Sequence, residues 1–349
     1  MPSITESVQN YYSEVLKKSS DLKTSACCAG GEPLQWMKDS IAKIDDSILE
    51  KFYGCGFPIT EAVEGCTVLD LGCGSGRDVY IYSQMVGENG KVIGVDMTES
   101  QLKTALDAEK LQMEKFGFSK SNVDFKKGYI EELNQLNISL NSVDLVVSNC
   151  VVNLSPDKKA VLKGVYDLLK EGGEFYFSDV FCDRRLDDDL RKNEMLYGEC
   201  LGGALYVNDF ISLAKQIGFR DPRLVSSGSI ELDSDVKELT GNARFYSKTY
   251  RLFKLPTLED NCEDYGQVAT YKGTIPQSVH LFMLDNKHSF EAGRPERVCG
   301  NTADMLQLSR YSSHFHVQGD RNVHFGEFIC GETMAAENYN QQNDLESCC

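Results

Sequence analysis

One segment restricts the fold of this chain more than any other, because it joins an apolar run to closely spaced glycines and then to a helical pattern. It runs from Val68 to Asp78 and reads VLDLGCGSGRD. Glycines at such a position let the backbone turn tightly and come close to a ligand. A second apolar run, Lys91–Asp96, ends in a carboxylate twenty residues after Gly76. An acid at the end of a second strand can accept hydrogen bonds from both hydroxyls of a ribose, so the two segments predict a nucleoside site.

The region around this motif alternates apolar runs with helical patterns, which is typical of a sheet covered by helices on both faces. The predicted strands are Thr67–Leu71, Lys91–Asp96, Val123–Lys126, Val143–Ser148 and Glu174–Asp179, and the predicted helices span 78–86, 99–116 and 157–170. Helices over 187–196 and 207–217 follow, and strands near 223–232 and 244–254 could complete the same sheet. We therefore expect an α/β fold with a Rossmann-like core at residues 66–185, completed by residues 186–258.

Three further regions are expected outside this core. Residues 1–65 are predicted to form a largely helical extension, because apolar side chains between Ile41 and Phe52 recur at helical spacing. Residues 259–330 contain short apolar runs separated by Gly, Pro and Asn, which predicts a small mixed α/β domain. Residues 331–349 are polar and acidic, and we expect them to be disordered.

The charge of the chain argues against several classes of partner. It has 53 acidic and 36 basic residues and a formal net charge of −17, which opposes binding to nucleic acid or to anionic lipid surfaces. No apolar run approaches the roughly 18 residues needed to span a bilayer, and the first residues lack the pattern of a signal peptide. We expect a cytoplasmic protein that binds neither nucleic acid nor membranes, with a monomer as its expected state.

The spacing of the glycines discriminates between nucleoside ligands. The dinucleotide fingerprint is GxGxxG, whereas these glycines follow GxGxG, and Arg77 stands where the third glycine of the fingerprint would fall. The lysine and hydroxyl residue of a phosphate-binding P-loop are also missing. The pattern resembles that of the class I S-adenosylmethionine-dependent methyltransferases. That resemblance implies that Gly72, Gly74, Gly76 and Asp96 contact the cofactor S-adenosyl-L-methionine.

Residues after the later strands extend the expected cofactor site. Ile130 and Glu131 follow the third strand, where enzymes of this class flank the adenine. Asn149 lies beyond the fourth strand, at the crevice where open α/β sheets bind ligands. Met97 could cover one face of the base. Ordinary core packing is the alternative role for Met97 and Ile130.

The cysteines indicate a second kind of ligand. The chain has thirteen, an odd number that cannot all pair within one molecule, so reduced thiols with a chemical role become plausible. Cys150 directly follows the fourth strand, Cys200 lies in a glycine-rich break between two helices, and Cys55 stands between two glycines. A single cysteine is more often a small buried hydrophobe than a ligand. Three thiolates at the rim of one cleft, however, would form a soft trigonal site for a thiophilic ion.

The sequence resembles the arsenite methyltransferases over nearly the whole chain, to about residue 328. The segments that carry this resemblance are residues 53–56, 71–78, 94–98, 128–131, 146–154 and 196–205. The family holds trivalent arsenic with cysteines that match Cys55, Cys150 and Cys200. Residues 186–258, which contain Cys200, are the expected arsenic-binding segment. The resemblance also implies a thiol-exchange role for Cys27 or Cys28, and it adds Tyr53 to the expected cofactor contacts.

The resemblance implies transfer of a methyl group to thiolate-bound arsenic(III), as a means of detoxification. The expected substrates are arsenite, methylated trivalent arsenicals and their glutathione conjugates. Returning the methylated arsenic to its trivalent state needs two electrons. The implied route is a disulfide between Cys27 or Cys28 and Cys55, which a thioredoxin- or glutathione-type partner reduces.

Two alternatives remain open on the sequence alone. The cofactor motif would equally serve a class I methyltransferase that acts on a small carbon or oxygen acceptor, but that function leaves the three cleft thiols unexplained. A non-catalytic, thiol-rich metalloid-binding protein is the other alternative, and the adjacent Cys348 and Cys349 favour it. The intact glycine loop and Asp96 argue against this second alternative.

Overall fold

The computed structural model describes residues 34–52, Gly54 and residues 56–329. Several predictions fall outside these residues. They concern the helical extension before residue 34, the tail at 331–349, and the individual residues Cys27, Cys28, Tyr53 and Cys55. Within the described part of the extension, helices Gln35–Ile41 and Asp46–Leu49 bury Met37 and Ile48 against the core.

The core is a mixed sheet whose strands lie close to their predicted positions. They are β1 (Thr67–Leu71), β2 (Lys91–Asp96), β3 (Val123–Lys127), β4 (Val143–Asn149), β5 (Leu169–Cys182), β6 (Leu205–Tyr206), β7 (Arg223–Ser229) and β8 (Phe245–Phe253). Their order is β3-β2-β1-β4-β5-β8-β7, with β6 paired to β5. Strands β1 to β5 pair in parallel, whereas β8 is antiparallel to both β5 and β7. The predicted α/β class is therefore confirmed.

This strand order places a ligand crevice beside β1. The chain passes from β1 to β2 on one side and later returns to β4 on the other, and such a switch point leaves a crevice outside the carboxyl ends of the strands. Strands β1 and β4 are buried along almost their whole length. Both are rich in Val and Leu, with one aspartate each, Asp70 and Asp144, which is typical of parallel strands covered on both faces.

The helices cover the two faces of the sheet with separate hydrophobic clusters. Helices Arg77–Val86 and Glu99–Phe116 contribute to one cluster, and helices Lys158–Leu168 and Val207–Ile217 contribute to the other. The helix predicted over 187–196 is instead two short helices, Asp188–Arg191 and Glu194–Gly198. The second helix begins there because the Asn193 side chain caps it by accepting a hydrogen bond from the Leu196 amide at 3.1 Å.

The boundary between the helix predicted at 157–170 and the following strand also differs from the predicted one. The helix ends at Leu168, and β5 begins at Leu169, five residues earlier than predicted. The pairing of β4 with β5 is irregular between Val143 and Leu145. The pair Gly172-Gly173 lies within β5, and Gly172 has a φ of +80°. Strand pairing therefore continues through a glycine pair that would ordinarily indicate a turn.

The region after β8 is a smaller unit, which we call the C-terminal unit (residues 259–329). Strands β9 (Val268–Tyr271), β12 (Pro295–Arg297) and β13 (Phe315–Gln318) form an antiparallel sheet, and β10 (Leu281–Met283) pairs with β11 (Ser289–Glu291). Helix Gly300–Gln307 packs against them. The predicted mixed α/β character of this region is confirmed. Among all the helices described, none has both the length and the apolar character that crossing a membrane requires.

Candidate functional site

A cleft opens at the carboxyl ends of β1, β2 and β4. Its walls come from the glycine loop after β1, the end of β2, the turn after β3 and the residues that follow β4. The predicted cofactor residues that line it are Gly72, Gly74, Asp96, Met97, Ile130, Glu131 and Asn149. Cys150 also lines this cleft, so a predicted arsenic ligand and the predicted cofactor residues share one space.

The glycine loop has the backbone conformation that its sequence predicts. Gly72 and Gly74 have φ values of +69° and +52°, where a side chain is strained. A Cβ atom at Gly72 would lie 2.4 Å from the side chain of Val151, whereas one at Gly74 would have no atom within 4 Å. The loop therefore needs glycine at Gly72 for packing, and at Gly74 it leaves open space beside the cleft.

Gly76 does not lie in the cleft, although the sequence predicts it to be a cofactor contact. It is the N-cap residue of helix Arg77–Val86, and a Cβ atom there would approach Ala105 and Phe125 at 3.1 and 3.3 Å. It is not among the residues that line the cleft. The third glycine of the motif therefore allows helix and strand to pack closely, and this placement gives no support for a cofactor contact.

Asp96 is bound to the glycine loop as well as exposed to the cleft. One carboxylate oxygen accepts a hydrogen bond from the Gly74 amide at 2.9 Å, and the other accepts one from the Thr98 amide at 2.7 Å. Burial raises the pKa of Asp96, and the backbone hydrogen bonds oppose that increase. Because each carboxylate oxygen can accept more than one hydrogen bond, the group keeps capacity for two ribose hydroxyls.

Met97 and Ile130 have both of the roles that the sequence left open, because each packs in the hydrophobic interior and also lines the cleft. Ile130 is 7% exposed and belongs to a core cluster, and Met97 packs against the cluster that surrounds the cysteines. Both also line the cleft. Beside Ile130, Glu131 accepts a hydrogen bond from the Ser155 hydroxyl at 3.2 Å.

The structure adds two carboxylates that sequence reasoning missed. Asp70 and Asp78 both line the cleft and are almost fully buried. Burial and the neighbouring charges of Asp78 and Asp96 raise the pKa of Asp70 well above its usual value. Asp78 pairs with Arg77 at 2.7 Å and accepts a hydrogen bond from the Asn149 amide group at 3.2 Å. Their positions beside the glycine motif, two residues before Gly72 and two residues after Gly76, could have indicated that they line the cleft.

Cys150 and Cys200 lie side by side at the edge of the cleft. The Cys200 thiol donates a hydrogen bond to the backbone carbonyl oxygen of Cys150 at 3.2 Å. The two residues are 7% and 4% exposed, and Cys150 is disulfide-bonded in the structure, so that thiol must be reduced before it can bind a metalloid. Of the three predicted arsenic ligands, the structure brings these two together. Cys55 lies outside the described residues.

Both cysteines also have an unusual backbone conformation. Their φ values are +59° and +62°, in the left-handed region that favours glycine. Strain of this kind persists only where the surrounding structure enforces it, and it is common at functional sites. Gly203 shows how tightly the two loops pack, because a Cβ atom there would lie 2.0 Å from the carbonyl oxygen of Asn153.

A half-buried lysine and a buried aspartate support the loop that follows Cys150. Lys158 donates hydrogen bonds to the carbonyl oxygens of Asn153 and Ser155 at 3.1 and 3.0 Å. Asp179 accepts hydrogen bonds from the amides of Asn153 and Val180 at 3.0 and 2.8 Å. Burial raises the pKa of Asp179 to about 7. Burial lowers the pKa of Lys158 to about 8, and the negative charges of Asp179 and Cys200 oppose that decrease.

Comparisons with known proteins agree with this geometry. A methyltransferase domain model matches residues 62–235, and an arsenite methyltransferase C-terminal domain model matches residues 264–347. The arsenite methyltransferase of Aquipseudomonas alcaligenes is 52% identical over 346 residues, which cover 99% of each chain. The arsenite methyltransferase of Mus musculus is 43% identical over 316 residues, which cover 89% of this chain and 83% of the mouse protein.

A solved structure shows the same likeness in three dimensions. The X-ray structure of an arsenic(III) S-adenosylmethionine methyltransferase from Chlamydomonas reinhardtii has a TM-score of 0.83 and is 50% identical, and the match covers 85% of this chain and 100% of that chain. The similarity thus extends over both the sheet that forms the cleft and the C-terminal unit. The chain belongs to the arsenite methyltransferase family.

Proposed function

We propose that this protein transfers the methyl group of S-adenosylmethionine to trivalent arsenic held by its cysteine thiolates. The observation that carries this proposal is the position of Cys150, which lines the cofactor cleft and also contacts Cys200. A methyltransferase for a carbon or oxygen acceptor would not need two buried thiols at that edge. A metalloid-storage protein would not need the glycine loop and Asp96.

The residues of the cleft fit S-adenosylmethionine. Asp96 can accept hydrogen bonds from the ribose hydroxyls, and the space beside Gly74 can take the methionine portion. Met97 and Ile130 offer apolar surface to the adenine. The ligand carries positive charge on its ammonium and sulfonium groups, which can interact with the Asp78 carboxylate in the lining of the cleft. The bound sulfonium supplies an activated methyl group to a nucleophile.

The protein's part in the reaction is to hold arsenic as that nucleophile. Thiolates bind trivalent arsenic and leave its lone pair free to attack the methyl carbon in line. The arsenic–carbon bond forms as the sulfur–carbon bond breaks, and S-adenosylhomocysteine leaves. The thiol protons depart with the hydroxide ligands of arsenite as water, so no general base is required. Holding the two atoms about 3–3.5 Å apart can supply several kcal/mol of the barrier reduction.

The methylated arsenic is formally pentavalent, and its return to the trivalent state takes two electrons. We propose that oxidation of Cys27 or Cys28 together with Cys55 to a disulfide supplies them, and that a thioredoxin- or glutathione-type partner reduces that disulfide. Arsenite, methylated trivalent arsenicals and their glutathione conjugates are the proposed substrates. We also propose a cytoplasmic, monomeric enzyme of arsenic detoxification.

The test of this function is arsenite-dependent formation of S-adenosylhomocysteine by the purified, reduced protein. We expect product only when S-adenosylmethionine, a thiol reductant and arsenite are all present. Product formed at the same rate without arsenite would favour a methyltransferase for another acceptor. Binding of arsenite without any product would favour a metalloid-binding protein.

Replacing Asp96 by alanine should weaken S-adenosylmethionine binding at least about tenfold, because it removes a carboxylate that accepts hydrogen bonds and that also anchors Gly74. Arsenite affinity should stay within about twofold of the original value, since the thiols are not bound to Asp96. Isothermal titration calorimetry measures both affinities. The matched control is Asp107→Ala on the exposed face of helix Glu99–Phe116. Unchanged cofactor affinity in the Asp96 variant would remove this residue from the site.

Replacing Lys158 by methionine should reduce arsenite binding at neutral pH severalfold, because a nearby ammonium favours the thiolate form of Cys200. The pKa of Lys158 is about 8, so the wild-type side chain also loses its charge as the pH rises through that value. The difference between the two proteins should therefore shrink at higher pH. Bound arsenic per protein, measured by mass spectrometry after gel filtration, gives this profile. Lys159→Met removes an exposed charge one residue away and should change nothing. A pH-independent defect in Lys158→Met would contradict the charge effect and would instead reflect loss of the hydrogen bonds to Asn153 and Ser155.

A further inference from the structure

We propose that Arg310 of the C-terminal unit is a positioning residue for Gly56–Glu61, the segment that directly follows Cys55 in the sequence. By holding this segment, the C-terminal unit supports the step that needs a third thiol, the binding and first methylation of inorganic arsenite. The arsenic part of this inference rests on the proposed function. The structural part rests only on contacts of the described residues.

The segment Gly56–Glu61 is fixed on one side by the core. The Gly56 carbonyl oxygen accepts a hydrogen bond from the Asn149 side chain at 2.9 Å, and Asn149 lines the cleft. A Cβ atom at Gly56 would lie 2.3 Å from the hydroxyl oxygen of Ser178 on β5. The Tyr82 hydroxyl donates to the Pro58 carbonyl oxygen at 2.8 Å. The segment therefore packs against the sheet close to the cleft.

The C-terminal unit holds the same segment from the other side. Arg310 donates a hydrogen bond to the Glu61 carbonyl oxygen at 3.2 Å and a second one to the Thr60 hydroxyl at 3.1 Å. The Ser278 hydroxyl donates to the Glu61 carboxylate at 2.9 Å. Tyr311 contacts the Thr60 hydroxyl through its own hydroxyl at 3.3 Å. Three residues of the unit therefore bind two adjacent residues of the segment.

A buried cluster of charges fixes Arg310 itself. Its guanidinium pairs with Glu174 of β5, and Arg251 of β8 pairs with the other oxygen of the same carboxylate at 3.0 Å. The side chains of Glu174, Arg251 and Arg310 are 0, 2 and 8% exposed. Arg251 also donates to the Thr60 hydroxyl at 3.3 Å. Two buried cations on one carboxylate are costly to separate from their partners, so Thr60 is held in one place by groups from both sides.

A second buried arginine provides a matched comparison. Arg223 of β7 also joins the core to the C-terminal unit, through ion pairs with Asp221 and with Asp285 at 2.7 and 3.1 Å. Its side chain is 8% exposed, the same fraction as that of Arg310. Its ion-pair partners lie outside Gly56–Glu61. Loss of either arginine should destabilise the junction, but only loss of Arg310 should release the segment.

The experiment compares Arg310→Met, Arg223→Met and Cys55→Ser in the full-length, reduced protein. Hydrogen exchange of the peptide that contains residues 56–61 should accelerate in Arg310→Met and stay unchanged in Arg223→Met. Initial rates should fall about tenfold more with arsenite than with a monomethylated trivalent arsenical in Arg310→Met. Arg223→Met should affect the two substrates equally. Arg310→Lys, which keeps the charge and part of the hydrogen bonding, should recover part of the arsenite rate.

The outcomes separate this inference from the proposed function. Unchanged exchange at residues 56–61, or equal losses on both substrates in folded Arg310→Met, would overturn the positioning role. If Cys55→Ser itself affects both substrates equally, Cys55 does not act on arsenite alone, so the proposed division of roles among the cysteines fails, and the exchange data still decide the structural part. Should Arg310→Met fail to fold, Thr60→Val removes the shared hydroxyl without leaving an unpaired charge. It keeps the bond from Arg310 to the Glu61 carbonyl oxygen and should give smaller effects in the same direction, and their absence would overturn the positioning role.

Discussion

Replacing Cys150 or Cys200 by serine is expected to abolish methylation of every trivalent arsenic species. Serine is nearly the same size as cysteine, so the variant should keep the tight packing of the two loops. Its hydroxyl, however, is a hard and poorly ionised ligand that cannot replace a thiolate on arsenic. A monomethylated species exchanges two ligands, which the neighbouring Cys150 and Cys200 would supply, so loss of either one leaves too few. Formation of S-adenosylhomocysteine with each arsenical measures the effect.

Cys182→Ser is the control for this comparison. Cys182 is fully buried in the same hydrophobic cluster as Cys150 and Cys200, but it does not line the cleft. Serine there introduces the same hydroxyl into the same surroundings and should leave turnover largely intact. S-adenosylmethionine affinity should be largely retained in all three variants, since none of these thiols is a proposed hydrogen-bond partner of the cofactor and serine is close to cysteine in size. Near-normal turnover in Cys150→Ser or Cys200→Ser would show that the proposed thiolate site is wrong.

The elements of the fold that could be predicted are those that a short stretch of sequence is enough to indicate. Strands β1 and β2 begin and end at the predicted residues, because buried parallel strands produce continuous apolar runs that glycines and acids terminate. The glycine loop follows from the same local pattern. Positions at which two local signals compete were predicted less well, as at Gly172-Gly173, where strand pairing prevails over the tendency of glycine to form a turn.

The part of the site that depends on distant residues could not be predicted in this way. The sequence indicated that Cys150 and Cys200 would approach one cleft, because Cys150 follows a strand and Cys200 lies in a glycine-rich break. It gave no sign of their left-handed backbone, which is uncommon in cysteine. The contacts among Thr60, Glu174 and Arg310 join positions more than a hundred residues apart, and no periodicity or motif connects them.

Replacing Cys55 by serine should suppress the first methylation while sparing methylation of the monomethylated species. The physical reason is the number of ligands that each substrate can exchange. Inorganic arsenite has three, whereas a monomethylated trivalent arsenical has only two, which Cys150 and Cys200 can occupy by themselves. The rate of S-adenosylhomocysteine formation should therefore fall strongly with arsenite and stay close to normal with the monomethylated substrate.

Variants of the other proposed redox cysteines make this comparison more specific. Cys27→Ser should act in the same direction as Cys55→Ser, but Cys28 can substitute for its neighbour, so the double replacement of Cys27 and Cys28 is the cleaner test. Replacement of both Cys348 and Cys349 should leave both rates unchanged, because a polar, acidic tail is not expected to hold a reacting atom in line. Equal losses on the two substrates in Cys55→Ser would show that this cysteine is needed for more than the third bond to arsenic, and the proposed division between the binding pair Cys150 and Cys200 and the redox cysteines would then fail.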